Sequence, residues 1–230
     1  MLKSLFKDNL NYNLSKEQIN LFTKYYQKLI EYNKHTNLTR ITSLDDVYIK
    51  HFLDSVMLTK LLNFNEVKSM CDMGSGAGFP AIPILILYPK IKMTLIDSQI
   101  KRVTFLNELK KELNLEYTVI HERAEQYSQE NTLKFDLITV RALTELPKIL
   151  EFGIPMLKEK GYLIAAKGSK YEEEIIASMN ALNILKSKLI KVDTFNLPND
   201  TGFRANLLIQ KEKHIKGYPR EYNQILKKPL

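Results

Sequence analysis

The segment at residues 71–79, Cys-Asp-Met-Gly-Ser-Gly-Ala-Gly-Phe, constrains this chain more than any other part of its sequence. It follows one short apolar run and precedes a second apolar run at 81–87. Glycines at three alternate positions, Gly74, Gly76 and Gly78, allow the backbone to turn sharply and let a ligand approach it closely. The segment is therefore predicted to be a ligand-binding loop between a β-strand and an α-helix.

The spacing of these glycines separates the loop from the dinucleotide-binding fingerprint. The chain has GxGxG with Asp72 in front, whereas a dinucleotide loop needs GxGxxG to seat a pyrophosphate on the helix. Pro80 follows the loop, and Asp72 would repel a phosphate. A cationic ligand with an amino-acid end fits better, and S-adenosylmethionine is the common ligand of that kind. A tight turn without a ligand is the alternative.

Size and composition exclude several classes of protein. The 230 residues, 44% of them hydrophobic, suit one α/β domain with a small extension. The single cysteine, Cys71, excludes an intrachain disulfide and suits a reducing cytoplasm. Four scattered histidines show no metal-ligand spacing, so no metal is expected. Neither a signal peptide nor an apolar run of roughly 18 residues occurs, so no membrane partner is expected.

The distribution of charge points to a polyanionic partner. Of the net charge of +8, residues 1–62 contribute +3 and residues 204–230 contribute +5, while residues 63–203 are neutral. This segregation predicts a polyanion held by the two ends and presented to a neutral catalytic core. A basic surface that serves only solubility is the alternative.

The first 62 residues are predicted to be helical. Ser15 and Gln18 form a capping-box pattern, and an apolar period of 3.6 residues follows as far as about Asn33. A second helix is predicted from Ser43 to the end of this segment.

From Val67 onward, strand and helix patterns alternate. The predicted strands are 67–72, 93–97, 117–120, 135–140, 162–166, 188–195 and 205–210. The predicted helices are 81–87, 100–113, 145–157 and 171–186. The alternation implies a mostly parallel sheet covered on both faces, and the missing helix before the last strand predicts an antiparallel pair at the sheet edge.

Seven strands with this terminal hairpin are the arrangement of class I S-adenosylmethionine-dependent methyltransferases, a Rossmann-like α/β fold. We therefore expect three parts in the chain. Residues 1–62 form a helical extension packed on the core, residues 63–213 form the methyltransferase core, and residues 214–230 form a basic, irregular tail.

The ends of the second and third predicted strands carry further candidates for cofactor binding. Asp97 stands 19 residues after Gly78, where an acidic residue accepts hydrogen bonds from ribose hydroxyls in doubly wound folds. Helix capping is its alternative role, and the two roles are compatible. Ser98 and Gln99 are expected at the same rim. The triplet Arg123-Ala124-Glu125 follows the third strand, the usual place of an adenine-edge contact.

Arg141 ends the fourth predicted strand, where open α/β sheets place the reacting centre. A half-buried arginine needs a partner, so we expect contact with a carboxylate, a substrate phosphate or a base edge; a structural salt bridge is the alternative. The segment lacks the (D/N)PP(Y/F) motif of methyltransferases that act on exocyclic amines, and Cys71 fits the core better than a nucleophile's role. Elimination favours an atom that is nucleophilic unaided, such as guanine N7.

Two polar clusters remain. His51, Asp54 and Ser55 share one face of an otherwise apolar helix, and they either brace the glycine loop or contact substrate. Candidate contacts to RNA are His51, Lys167, Arg204, Arg220 and Lys228, with a solvated surface as the alternative.

Several stretches, in this order, carry a resemblance to a known family. They are Asn33…Asn37-Leu38-Thr39, His51-Phe52-Leu53-Asp54-Ser55, 71–80, Leu95-Ile96-Asp97-Ser98 with 101–106, Arg123-Ala124-Glu125, Val140-Arg141-Ala142, Ala166-Lys167-Gly168, Tyr218-Pro219-Arg220 and Lys228-Pro229-Leu230. Over nearly its full length the chain resembles the small-subunit ribosomal RNA guanine-N7 methyltransferase family, also called glucose-inhibited division protein B.

The resemblance implies a bacterial cytoplasmic enzyme that uses S-adenosylmethionine to methylate N7 of one guanine in the 530-loop region of 16S rRNA, in the small ribosomal subunit or its precursor. We expect a monomer. The residues it places around the cofactor and active site are Gly74, Phe79, Asp97, Ser98, Gln99, Ala124, Glu125 and Arg141, with Arg141 as the catalytic residue. Gly76 and Gly78 join them as loop glycines.

Three other functions remain open at this point. A nicotinamide-dependent oxidoreductase is opposed by the missing GxGxxG spacing. A non-catalytic RNA-binding module is opposed by the intact acidic and glycine-rich loop. A small-molecule methyltransferase would leave the basic ends without a purpose.

Overall fold

The computed structural model describes all 230 residues, Met1–Leu230, with seven strands in the predicted order. The strands are β1 (Ser69–Met73), β2 (Lys92–Asp97), β3 (Thr118–His121), β4 (Phe135–Arg141), β5 (Leu157–Lys167), β6 (Ser187–Asn196) and β7 (Phe203–Lys211). The α-helices are α1 (Leu2–Leu10), α2 (Lys16–Thr36), α3 (Leu44–Val47), α4 (Asp54–Met57), α5 (Ala81–Leu87), α6 (Ile100–Leu113), α7 (Ala124–Glu130), α8 (Leu146–Met156), α9 (Tyr171–Ala177), α10 (Met179–Ile184) and α11 (Tyr222–Lys227). None of the helices has the length and apolar character needed to cross a membrane.

One sheet contains all seven strands, in the order β3-β2-β1-β4-β5-β7-β6. The first five strands in this order pair in parallel, whereas β7 is antiparallel to both β5 and β6. The predicted antiparallel pair at the sheet edge is thereby confirmed. The chain runs outward from β1 to β2 and β3 and then returns to β4 on the other side of β1. Ligands of open α/β sheets bind at such a reversal, outside the carboxyl ends of the strands.

Apolar side chains cover both faces of the sheet. A cluster of 39 buried residues joins the N-terminal helices to one face, and a cluster of 23 buried residues fills the other. The two clusters follow the alternation along β7, because Leu207 and Ile209 belong to the smaller cluster and Leu208 to the larger one. The helices α1 to α4 therefore share the main core with the sheet. The boundaries at 1–62, 63–213 and 214–230 stay predictions.

The start of α2 is the predicted capping box. The Ser15 hydroxyl accepts a hydrogen bond from the Gln18 backbone N–H at 3.1 Å, and the Gln18 side chain accepts one from the Ser15 backbone N–H at 3.0 Å. The helix continues to Thr36, past the predicted end near Asn33, and its C-cap Asn37 takes the left-handed conformation with φ +50°.

The second N-terminal helix is not a uniform α-helix. Its predicted start is confirmed, since the Ser43 hydroxyl accepts a hydrogen bond from the Asp46 N–H at 3.3 Å. After α3 the chain winds into a π-helix, Tyr48–Leu53, before α4 and a short 3-10 turn. π-turns are rare and occur frequently at functional sites. Here the π-helix contains His51 and leads directly to Asp54.

Three helices and one break differ from the sequence-based expectation. The helices α1, α7 and α11 were not predicted, and the predicted helix at 171–186 is divided at Ser178 into α9 and α10. The prediction of an irregular tail is wrong, because α11 lies within it. This helix has six residues and buries Ile225 completely. Such a short helix depends on tertiary packing, so it leaves little periodic signal in the sequence.

Tyr25 provides a test of how the N-terminal helices support the sheet. This side chain is fully buried, and its hydroxyl donates a hydrogen bond to the carbonyl oxygen of Ala77 in the glycine loop. Replacing Tyr25 with Phe leaves a buried carbonyl without its partner, so we expect a loss of about 1–3 kcal/mol in the free energy of unfolding, measured by urea titration.

The matched control is the neighbouring tyrosine. The Tyr26 hydroxyl donates to the Thr42 carbonyl at 3.2 Å in an exposed position, where water can replace it. Tyr26→Phe should therefore change the free energy of unfolding by less than about 0.5 kcal/mol. Equal losses in the two variants would contradict a supporting role for Tyr25.

Candidate active site

The glycine-rich loop turns through backbone conformations that favour glycine. Gly74, Gly76 and Gly78 have φ angles of +71°, +57° and +96°. A Cβ atom at Gly74 would also lie 2.7 Å from Cδ1 of Leu143, on the loop after β4. The positive φ favours glycine at Gly74, whereas the exposed Leu143 side chain could move aside for a Cβ atom.

The N–H groups of this loop are used within the protein. The backbone N–H groups of Gly74 and Ser75 donate to the Ile96 carbonyl at 2.9 and 3.0 Å. The N–H of Gly76 donates to Oδ2 of Asp97 at 2.9 Å. Donors engaged in this way are not free to hold a pyrophosphate, which distinguishes the loop from a dinucleotide cradle.

Asp97 is fixed at the carboxyl end of β2. Its side chain is buried; Oδ1 accepts a hydrogen bond from the Gln99 N–H at 2.9 Å, and Oδ2 faces Nη1 of Arg102 at 3.3 Å. The carboxylate thus connects the glycine loop to the segment before α6. The N-cap residue of α6 is Gln99, and its side chain makes no capping hydrogen bond; Asp97 accepts from the N–H of Gln99 itself and is not the cap of this helix. Asp97 also lines a cavity beside the loop.

A cavity of about 360 Å³, the first cavity, lies beside the glycine loop. It is lined by Gly74, Ile96, Asp97, Ser98, Gln99, Arg102, Glu122, Arg123, Ala124, Glu125, Ala142, Leu143, Thr144, Lys148, Phe152, Tyr222 and Leu226. The predicted cofactor-binding residues that line it are Gly74, Asp97, Ser98, Gln99, Ala124 and Glu125. The predicted residues outside this lining are Gly76, Gly78, Phe79 and Arg141.

Gly78 and Phe79 pack the loop against the N-terminal helices. A Cβ atom at Gly78 would lie 2.8 Å from the Tyr25 hydroxyl and 2.8 Å from Cγ1 of Ile82. The Phe79 ring stacks on Tyr25, with centroids 5.2 Å apart, and on His51, with centroids 4.3 Å apart. In this structure these two residues support the loop from positions outside the lining of the first cavity.

A second cavity, of about 550 Å³, adjoins the first. It is lined by Ile41, Lys50, His51, Asp54, Arg141, Ala142, Leu143, Thr144, Ala166, Lys167, Gly168, Glu174 and Arg204. Only the segment 142–144 is common to both cavities, so it forms the wall between them. Of the predicted catalytic and RNA-binding residues, the second cavity gathers Arg141, His51, Lys167 and Arg204, and it does not include Arg220 or Lys228.

A buried carboxylate holds two arginines in the second cavity. Asp54 accepts a hydrogen bond from Nη1 of Arg141 at 3.2 Å. It also accepts a bifurcated hydrogen bond from the single N–H of Arg204 Nε, which lies 3.0 and 3.1 Å from its two oxygens. Nη1 of Arg141 also donates to the Lys50 carbonyl at 3.2 Å. Burial lowers the pKa of Arg141, and the charge of Asp54 opposes that shift. The structural salt bridge considered for Arg141 is therefore present, on the wall of an open cavity.

His51 is held as a neutral ring. Burial, followed by the positive charge of Arg141, lowers the pKa of His51 to about 3. Its Nδ1 lies 3.1 Å from Nη2 of Arg141, and its Nε2 lies 3.0 Å from the Thr39 hydroxyl. With both ring nitrogens engaged, His51 braces Arg141 and the Phe79 ring.

Two of the other basic candidates are already paired with carboxylates. Lys167 donates to the Thr144 carbonyl at 2.9 Å and to Glu174 at 2.6 Å. Arg220 donates to both oxygens of the fully buried Glu151, at 2.6 and 2.7 Å. Contact of these residues with RNA stays a prediction.

Asp72 is a buried acid with an unpartnered oxygen. The Thr139 hydroxyl donates to its Oδ1 at 2.7 Å, while its Oδ2 has no hydrogen-bond partner. Burial raises the pKa of Asp72 to about 6, and the nearby charge of Asp97 adds to the shift. Asp72 lines neither cavity, so a positively charged ligand would act on it through charge and from a distance.

Some cavity residues were missed from the sequence. Phe152, Tyr222 and Leu226 line the first cavity without belonging to a recognised motif, and Arg102 lies in the matched stretch 101–106 but was not predicted as a site residue. The spacing of Tyr222, Ile225 and Leu226 gives a weak helical signal, but six residues are too few to indicate which face meets a ligand.

The mostly parallel seven-stranded sheet and the loop at its reversal point define the class I S-adenosylmethionine-dependent methyltransferase fold. Within that class, residues 18–201 match the family model described as GidB, rRNA small subunit methyltransferase G. The chain belongs to this family, which confirms the resemblance found in its motifs.

Similar proteins agree with this assignment. The chain is 55% identical over 230 residues, all of both chains, to the Ribosomal RNA small subunit methyltransferase G of Acholeplasma laidlawii. It is 43% identical over 220 residues to the protein of that name from Staphylococcus epidermidis, covering 94% of this chain and 92% of the relative.

Solved structures show the same fold at low identity. A putative O-methyltransferase from Klebsiella pneumoniae superposes with a TM-score of 0.60 at 9% identity, covering 92% of this chain and 96% of that one. P. horikoshii TYW2 in complex with MeSAdo superposes with a TM-score of 0.56 at 14% identity, covering 70% and 62%.

The raised pKa of Asp72 gives a pH-dependent prediction. The folded state holds this proton up to about pH 6, while the unfolded chain releases it near the ordinary pKa of 3.8. The folded state therefore loses up to about 3 kcal/mol as pH rises from 4 to 7. Asp72→Asn has no such proton to release. The free energy of unfolding of the variant minus that of the parent, measured by urea titration, should therefore rise by up to about 3 kcal/mol between pH 4 and 7.

The control for this prediction is an exposed acid. Asp8→Asn on α1 alters a solvated carboxylate and should show no such trend between pH 4 and 7. A difference between Asp72→Asn and the parent that stays constant with pH would contradict the assigned shift.

Proposed function

We propose that this chain is an S-adenosylmethionine-dependent methyltransferase that methylates N7 of one guanine in 16S rRNA. One observation carries the proposal: two cavities meet at the segment 142–144. One cavity lies beside the glycine loop, and the other is lined by arginines and has no side chain free to accept a proton. The names of the relatives support small-subunit rRNA as the substrate.

The residues of the first cavity fit the cofactor. Asp97 offers carboxylate oxygens at the place where doubly wound folds bind ribose hydroxyls. Asp72 lies at the end of β1, just before the loop and outside the cavity lining, and its buried negative charge suits a cationic ligand nearby. When bound, S-adenosylmethionine supplies a methyl group activated by a positively charged sulfur. We propose Gly74, Asp97, Ser98, Gln99, Ala124 and Glu125 as the residues that hold it.

The second cavity fits a polyanionic substrate. Arg141, Arg204, Lys50 and Lys167 line it, and only Asp54 and Glu174 carry negative charge there. Arginine recognises both phosphate and the acceptor edge of guanine. We propose that Arg141, held by Asp54, orients the target guanine against the segment between the cavities.

The absence of a free base in this cavity favours an unaided nucleophile. His51 is neutral with both nitrogens engaged, Asp54 is shared by two arginines, and Lys167 is paired with Glu174. Guanine N7 has a lone pair and no proton to lose, so these residues need only align it with the methyl group. An exocyclic amine would need a group that accepts its proton.

The same chain lines both cavities, so we propose that it acts as a monomer. We place the reaction in the bacterial cytoplasm, where the small-subunit rRNA is made. From the resemblance of its motifs, we also propose that the target guanine lies in the 530-loop region.

Methyl transfer to rRNA tests this proposal. Purified protein, tritium-labelled S-adenosylmethionine and either free 16S rRNA or small subunits should yield a labelled guanine. Borohydride reduction followed by aniline should then cleave the RNA at that position, because the treatment is specific for N7-methylguanine. Label at an exocyclic amine, or no label on either substrate, would contradict the proposal.

Arg141→Met tests the division between the cavities. Because Arg141 lies outside the first cavity, binding of S-adenosylhomocysteine, measured by calorimetry, should stay within about twofold of the parent. The rate of methyl transfer should fall by about 100-fold, as for other lost transition-state contacts. Arg40→Met, an exposed arginine outside both cavities, is the control and should keep the parent rate. Loss of cofactor binding in Arg141→Met would show that the cavities are not separate sites.

A further inference from the structure

The C-terminal segment forms part of the first cavity. Tyr222 and Leu226, on successive turns of α11, line it, and Ile225 between them is fully buried in the smaller core cluster. The rest of the lining comes from residues 74–152, more than 60 residues away in sequence. The last helix therefore closes a cavity that the methyltransferase core leaves open.

A buried ion pair holds this helix in place. Glu151 on α8 is completely buried, and it accepts hydrogen bonds from Nε and Nη2 of Arg220 at 2.6 and 2.7 Å and from the Arg220 backbone N–H at 3.2 Å. Nη2 of Arg220 also donates to the Lys228 carbonyl at 3.0 Å, just past the end of α11. Arg220 thus joins both ends of the tail helix to α8. Without this partner, the buried charge of Glu151 would strongly destabilise the folded protein.

The helix α11 presents one aromatic and one aliphatic side chain to the cavity, those of Tyr222 and Leu226. The Tyr222 ring lies with its centroid 6.4 Å from that of Phe152, and the Arg123 guanidinium carbon lies 4.5 Å from the Tyr222 centroid. Arg123 in turn pairs with Glu125. Ala124 and Ile96 add apolar lining nearby. Aromatic and apolar walls of this kind suit a purine ring.

We propose that α11 is the purine wall of the cofactor cavity, that Tyr222 contacts the purine, and that the Arg220–Glu151 ion pair positions the helix. The inference rests on the proposed function, since it assumes an adenosine-containing ligand in the first cavity. It also gives Arg220 a positioning role in cofactor binding in place of the RNA contact expected from its charge.

Two ligands test the contact of Tyr222. S-adenosylhomocysteine and 5′-methylthioadenosine share the purine and the ribose, but only the first has the amino-acid end. Tyr222→Ala should weaken both by about tenfold, by the same factor, as judged by calorimetry. Gln224→Ala, an exposed residue of the same helix outside the cavity, should bind both within about twofold of the parent.

The outcomes separate the inference from the proposed function. If the parent protein binds neither ligand, the proposed function falls and the inference falls with it. If the parent binds and Tyr222→Ala binds equally well, the purine wall is refuted while the proposed function stands. A loss confined to S-adenosylhomocysteine would place Tyr222 at the amino-acid end and overturn the assignment.

Kinetics test the positioning role of Arg220. Arg220→Ala should raise KM for S-adenosylmethionine by about tenfold, comparable to loss of the wall itself, with kcat retained at saturating donor. The paired variant Arg220→Met with Glu151→Leu replaces the ion pair by apolar side chains, a change that often preserves stability. It should return KM for the donor toward the parent value, although the positive charge is gone.

The RNA-binding alternative predicts the reverse pattern. If Arg220 binds phosphate, both variants raise KM for RNA and leave KM for the donor unchanged, and this result would overturn the positioning role. Hydrogen exchange of the tail amides identifies a variant whose α11 has detached. If the tail of the paired variant stays protected from exchange while its KM for the donor is as high as that of Arg220→Ala, the positioning role of Arg220 is also overturned.

Discussion

The buried carboxylate of Asp54 is the contact on which the second cavity depends. It binds Arg141 from β4 and Arg204 from β7, and it belongs to a helix that packs on the sheet through the main hydrophobic cluster. Removing one member of such a buried ion pair typically costs about 3–5 kcal/mol. The N-terminal helices are thus tied to the carboxyl edge of the sheet by charge as well as by apolar packing, and the cavity takes its shape from that junction.

The same junction explains how the two cavities divide their work. On one side of the segment 142–144, carboxylates and a tightly turned loop line the cavity that we propose for the cofactor. On the other side, two arginines are held by Asp54 in the cavity that we propose for the substrate. In the second cavity, burial and Arg141 keep His51 neutral, and both of its ring nitrogens are already engaged. Under the proposed function, alignment of the two ligands is the main contribution of the protein to the reaction.

Much of the fold and of the candidate site could be predicted from the sequence, because it depends on local chemistry. Glycines that need positive φ, an acid at the end of β2 and a capping box at Ser15 each leave a signal within a few residues, and the structure has all three. The pairing of Asp54 with Arg204 joins residues 150 positions apart, so no local pattern indicates it. The contribution of α11 to the first cavity left no local signal for the same reason, because its contact with α8 depends on tertiary packing. Charge alone did not indicate that Arg220 pairs with a buried glutamate, and its contact with RNA stays a prediction.

A crystal structure of the protein with S-adenosylhomocysteine tests the central claim most directly. The account predicts ligand density in the first cavity, with ribose hydroxyls within hydrogen-bond distance of Asp97 and the sulfur next to the segment 142–144. The second cavity should stay free of this ligand. Density in the second cavity, or a ligand whose ribose lies away from Asp97, would contradict the account.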